Sequence, residues 1–180
     1  FSNRQRPDLF LSIHCNAMPT KRTRARVQGV ETYFMSANAS NSAARAAADR
    51  ENAEAPSTRQ ARQDSTLALI LEDLARTETH QDSSRLAYAI HPKLISATGG
   101  LDRGVLQAPF YVLNGVDAPA VLIEVGYLSH PEEGSRLGRS DYQETLATAI
   151  VAGVRSFLAE VRQRDTPRAP SPPLATPAAP

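Results

Sequence analysis

Two short apolar runs, each carrying a single ionisable side chain, limit the folds open to this chain more than any other feature. Leu9-Phe10-Leu11-Ser12-Ile13-His14-Cys15-Asn16-Ala17 delivers a histidine to the end of an apolar stretch, after which the chain turns polar. Ala120-Val121-Leu122-Ile123-Glu124-Val125-Gly126 carries a glutamate where an apolar residue is expected. Runs of this length and composition read as buried strands, and in open α/β sheets ligands and metals sit at the carboxyl ends of such strands. Strand alternation puts Phe10, Ser12 and His14 on one face and Leu9, Leu11 and Ile13 on the other.

The 180 residues suffice for one domain with a real core. The formal charge of +1 produces no large field of the kind that attracts nucleic acid. A single cysteine excludes an internal disulfide framework and a cysteine-rich zinc site. No apolar run approaches the roughly 18 residues of a membrane span. The opening Phe1-Ser2-Asn3-Arg4-Gln5-Arg6-Pro7 reads as the start of a fragment that begins inside a domain.

Strands are expected over residues 8–14, Val27–Met35, 105–113 (interrupted by Pro109) and 120–126. Residues 18–26, with Lys21, Arg22, Arg24 and Arg26, read as an exposed basic loop. Residues 39–54 are alanine-rich, with Arg45/Asp49 and Arg50/Glu54 at i,i+4 spacing. That helix has almost no large apolar residues, so weak docking is expected. A polar loop around Pro56 precedes a helix capped by Asp64 with the face Leu67, Ile70, Leu71 and Leu74. The pattern resumes at Leu86, Ala89 and Ile90, with Pro92 expected to break or kink it and Gly99-Gly100 to turn the chain. Ser129-x-x-Glu132 with Pro131 has the form of a capping box. Ser140-x-x-Gln143 starts a helix whose face is Leu146, Ile150, Val154, Phe157, Leu158 and Val161. Residues 164–180, rich in proline and alanine, read as a disordered tail.

A neutral imidazole is the commonest protein ligand for zinc, which makes His14 a candidate; the plain alternative is a half-buried histidine bonded to backbone. Glu124 must face a metal, a cation or a solvated cleft, because burying an unpaired carboxylate is very costly. Beside a zinc-bound water it would serve as general base, and otherwise as one half of a structural salt bridge. Cys15 is expected to point to the opposite face as a small core residue. His80, His91 and His130 have no metal-ligand spacing with one another.

Ser12-Ile13-His14-Cys15-Asn16-Ala17 resembles the SIHANA/SIHADA motif of zinc-dependent N-acetylmuramoyl-L-alanine amidases of the type-3 family. The resemblance continues in Gly29-Val30-Glu31-Thr32-Tyr33-Phe34, in Val112-Leu113, and in the stretch from Ala118 to Glu133, which is similar to PSVLVETGFISNPEE. It implies a mixed central sheet flanked by helices, an α/β single domain that lacks its N-terminal strands here. Residues 1–163 would be the C-terminal part of a catalytic domain, and 164–180 its tail. The resemblance makes His14 a zinc ligand and Glu124 the catalytic glutamate. The family's other zinc ligands belong to segments before Phe1, so the fragment alone is expected to be inactive.

The implied reaction is hydrolysis of the amide between the lactyl group of N-acetylmuramic acid and L-alanine in peptidoglycan, with Zn2+ as cofactor. The implied place is the periplasm or extracellular face of the cell envelope, in daughter-cell separation. Residues 36–98 are an insertion relative to the shortest family members, helical and regulatory over 39–98. Its alanine-rich helix resembles one that covers the site of cell-division amidases until an activator protein displaces it. Glu51 or Glu54 would then cap the zinc in the inhibited state. Two other classes remain open: a non-catalytic cell-wall-binding or scaffolding module of the same fold, and an unrelated α/β domain in which His14 and Glu124 form a buried structural pair.

Overall fold

The computed structural model describes residues 2–54 and 77–165. The expected loop around Pro56, the Asp64-capped helix and nearly all of the tail lie outside those residues. Four strands, β1 (Phe10–Asn16), β2 (Val30–Met35), β3 (Asp102–Ala108) and β4 (Ala120–Tyr127), form one mixed sheet in the order β1-β4-β2-β3. β1 and β4 are parallel, β2 and β3 are parallel, and β2 meets β4 antiparallel. The α/β class and the mixed sheet read from the sequence are therefore correct.

β4 occupies an interior position, and all eight of its residues are buried. Its alternation divides the core in two. Val121, Ile123 and Val125 face a layer built by helix α3 (Thr77–Thr98) and helix α5 (Ser140–Asp165), with Phe34, Leu86, Ile90, Ile150 and Phe157. Ala120 and Leu122 face the other way, toward Tyr33, Phe110, Leu113 and helix α2 (Ser42–Glu54). The α5 face predicted from Leu146 to Val161 is the one that packs. Gly153 allows α5 to lie directly on α3, since a Cβ there would come within 2.4 Å of the Ile90 Cα.

Several local expectations are corrected. Strand β1 runs later than residues 8–14, to Asn16, and β2 starts at Val30 rather than Val27. The basic loop contains a one-turn helix, α1 (Lys21–Arg24), whose N-cap Thr20 accepts a hydrogen bond from the Thr23 N–H. Helix α3 continues through Pro92. The carbonyl that Pro92 leaves without a donor belongs to Tyr88, a residue 61% exposed, so water can satisfy it. β3 ends before Pro109, and Tyr111–Leu113 forms a 3-10 turn. Helix α4 (Pro131–Leu137) is capped by His130, not Ser129: Pro131 takes the first position, and the His130 Nδ1 accepts from the Glu133 N–H at 3.4 Å. The Ser129 hydroxyl accepts instead from the Met18 N–H.

Two corrections bear on the site. Cys15 is exposed, on the same strand face as Ile13, which is 56% exposed; the β1–β4 register shift between His14 and Asn16 puts the extra residue on β4, where Val125 and Gly126 stand against Cys15 alone. The alanine face of α2 is completely covered: Ala44, Ala47 and Ala48 are at most 2% exposed. Short side chains carry little area, yet they bring the helix backbone close to the sheet.

Candidate active site

The sheet places His14 and Glu124 side by side. They are register partners in the parallel β1–β4 pair, on the face that α2 covers. Glu31 extends the row, since it is the antiparallel partner of Glu124 on β2. Three adjacent strands thus present His14, Glu124 and Glu31 in one line across one face. Alternation explains the alignment, because paired residues of neighbouring strands project to the same side.

The two carboxylates meet opposite environments. Glu31 accepts from the Tyr33 hydroxyl at 2.8 Å, the Tyr127 hydroxyl at 3.2 Å and the Arg103 Nε at 2.5 Å. Its charge is buried but fully met by donors. Glu124 is 0% exposed, and neither of its oxygens has a hydrogen-bond partner among the described residues. Burial, then the charges of Glu51 and Glu31, push its carboxyl up to about 8, against the opposing pull of Arg50. Such an acid gives and takes a proton near neutral pH.

Helix α2 closes the row from above with three consecutive residues. Arg50 donates to the Asn16 Oδ1 at 3.2 Å. Oε2 of Glu51 lies 2.8 Å from the His14 Nδ1. The Asn52 carboxamide pairs with the backbone of the segment after β3, donating to the Pro109 carbonyl at 2.8 Å and accepting from the Tyr111 N–H at 2.7 Å. The other ring nitrogen of His14, Nε2, lies 2.9 Å from the Ser12 hydroxyl. Of the two acids singled out on this helix, Glu51 reaches the histidine; the side chain of Glu54 lies outside the described residues.

The donor chemistry suits a metal only in part. His14 offers an imidazole and Glu124 an orphaned carboxylate, but among the described residues no three His, Cys, Asp or Glu side chains gather to hold an ion. Zinc sites use three or four protein ligands, so His14 would need donors from elsewhere. The other described histidines serve the fold. His91 links α3 to the sheet, with Nδ1 3.0 Å from the Thr32 hydroxyl and Nε2 2.8 Å from Asp102, and His130 caps α4.

Glu31, Asn16, Arg50 and Asn52 were not singled out as site residues from sequence. Glu31 carried the same signal as Glu124, a carboxylate inside a β-rich apolar stretch. Nothing local announces Asn16, Arg50 or Asn52, because their partners lie between 34 and 59 residues away in the chain.

N-acetylmuramoyl-L-alanine amidase AmiA of Escherichia coli strain K12 is 32% identical over 153 residues, covering 83% of this chain and 52% of that relative. The crystal structure of an N-acetylmuramoyl-L-alanine amidase from Clostridium difficile 630 is similar with a TM-score of 0.58 and 25% identity, over 88% of this chain and 61% of that one. The CwlD amidase of Clostridioides difficile, solved in complex with the GerS lipoprotein, shares the fold at a TM-score of 0.57 and 23% identity, over 88% of this chain and 58% of that one. The chain thus spans about half the length of the curated relative. The family model of N-acetylmuramoyl-L-alanine amidases, Amidase_3, matches residues 1–156, and the chain belongs to that family.

Proposed function

We propose that this chain is the C-terminal part of a zinc-dependent catalytic domain that hydrolyses the amide between N-acetylmuramic acid and L-alanine in peptidoglycan. The observation that carries this reading is the row of His14 and Glu124 at neighbouring strand positions, with the Glu124 carboxylate buried and unpartnered. An unmet buried acid is expensive to keep, and a reacting water and a leaving amine are what it would serve. His14 would be one zinc ligand, with the remaining donors in a segment preceding Phe1. When bound there, zinc would polarise the scissile carbonyl and acidify a water. Glu124 would take the proton from the attacking water and hand a proton to the departing amine. Glu31, held by three donors, would keep β2 in register beside it.

Helix α2 closes the site in this reading. Glu51 occupies His14, and the buried alanine face keeps the helix in place, so an activator protein would have to lift it. A protein partner has precedent in the fold, since CwlD was solved with the GerS lipoprotein. Little apolar area is buried by alanine, which suits a segment that must undock. The substrate places the protein in the cell envelope, periplasmic or extracellular, with a role in cell separation. Among the described residues no helix is long and apolar enough to cross a membrane.

The test uses the full-length protein: its zinc content and its release of free amine from peptidoglycan, with Glu124→Gln as control. Bound zinc and a loss of 100-fold or more in the variant are expected. Zinc-free protein that binds peptidoglycan without cleaving it would establish the non-catalytic wall-binding module instead. Deleting residues 39–54 should raise basal activity, and unchanged activity would end the case for a closing helix.

A further inference from the structure

The contact made by Asn52 has the form of a β-ladder rung. In a parallel ladder, the N–H and C=O of one residue pair with the carbonyl before and the N–H after the residue opposite. Here the residue opposite is Phe110, whose φ of −76° and ψ of 121° are extended. The carbonyl before it, on Pro109, and the N–H after it, on Tyr111, both point to the Asn52 side chain at 2.8 Å and 2.7 Å. A carboxamide presents an N–H and a C=O on the same side, as one residue of an extended strand does. Only one of its two orientations satisfies both bonds, so the assignment of oxygen and nitrogen is unambiguous.

We propose that the Pro109 carbonyl and the Tyr111 N–H form a subsite for the N–H and C=O of one residue of the peptidoglycan stem peptide, filled in this structure by Asn52 as a stand-in. The proposal rests on the amidase reading above and adds where the peptide is held. Three observations carry it. The rung belongs to the segment that continues β3, so an extended peptide would add to the chain as it adds to a sheet edge. Asn52 follows Glu51, which reaches His14, so rung and histidine are separated by a distance a few extended residues span. The surface beside the rung is apolar and open, with Tyr111 49% and Val112 40% exposed. Lifting α2 would uncover the histidine and the peptide rung in one movement.

Titration of the 15N-labelled chain with muramyl dipeptide, followed at the Tyr111 amide resonance, tests this. Asn52→Ala should bind the probe at least tenfold more tightly than the unaltered chain, with the Tyr111 resonance shifting on binding. Asn52→Ala/Tyr111→Pro should lose that gain, because proline removes the N–H and Phe110 already has the extended backbone that a residue before proline prefers. If Asn52→Ala does not give a dispersed spectrum, Asn52→Asp replaces it, since its carboxylate opposes the Pro109 carbonyl and weakens the closed form. A gain absent from the opened variant, or one that survives Tyr111→Pro, overturns the subsite. Tetra-alanine is the second probe. If it binds the opened variant as tightly as muramyl dipeptide, the assignment to the stem peptide is overturned while the rung stands. Peptidoglycan cleavage by the full-length protein with no Tyr111 response would discard the rung and leave the amidase reading intact.

Discussion

Glu124 and Glu31 stand opposite each other in adjacent strands, both buried, and differ only in what surrounds them. Three donors meet the Glu31 carboxyl group, while Glu124 has none and its carboxyl is raised from 4.5 to about 8. Because the folded state binds this proton more tightly than the unfolded chain, the contribution to stability is complete below pH 4.5 and is lost as pH rises toward 8. The loss is on the order of 5 kcal/mol. In metal-free protein, Glu124→Gln should therefore have a melting temperature that exceeds the unaltered chain's by a margin growing between pH 5 and pH 8. A margin constant across that range would show that the carboxyl is not raised. The sequence exposed Glu124 as a misfit in an apolar strand, while Glu31 carried the same signal without being singled out. It could not separate the satisfied one from the orphan, because the donors come from Tyr33, Arg103 and Tyr127, on three different strands.

At the scale of elements, α2 and α5 show how small side chains serve two ends. On α2 the alanines let the helix approach closely while the contacts that define its position are polar: Arg50 to Asn16, Glu51 to His14, Asn52 to the rung. Glu51→Ala should speed amide exchange across Ser42–Glu54 and leave β4 and α5 unchanged, measured by hydrogen exchange with mass spectrometry. Uniform exchange across all elements would contradict a separately opening helix. On α5, Gly153 sits against Ile90. In an open helix Gly→Ala gains about 1 kcal/mol. Here the added Cβ would meet the Ile90 Cα at 2.4 Å and the Ala89 carbonyl oxygen at 2.9 Å, so Gly153→Ala should cost about 1–3 kcal/mol in denaturant unfolding. The sign of that change tests the helix–helix approach. Helix existence was legible in both segments from alanine content and the 3.6-residue period. The closeness of packing was not, because it depends on which residue of another helix lies opposite.

Across the whole molecule, one sheet separates a large aliphatic core from a smaller one that carries the site. Ile90, 0% exposed on α3 and packed against Gly153 of α5, belongs to the large core. Ile90→Ala should destabilise the entire domain by about 2–5 kcal/mol in a single cooperative transition seen by circular dichroism and tyrosine fluorescence alike. Non-coincident transitions would mean that the two layers unfold separately. This division suits the proposed function: a stable layer holds the strand ends rigid, and the layer over the reacting groups can open without melting it.

The sequence by itself determined the α/β class, the burial of the Glu124 strand, and the two side chains most out of keeping with their apolar surroundings, because hydrophobic pattern and the cost of burying charge are local properties. The family was legible in the resemblance of several short motifs, taken together in their order and spacing. Only the tertiary structure decided that His14, Glu124 and Glu31 share one line, that Cys15 faces solvent, and that α2 meets the site through Arg50, Glu51 and Asn52. Register and layer assignment depend on which strands pair and which helix covers them, and those choices are made by the energy of the assembled whole.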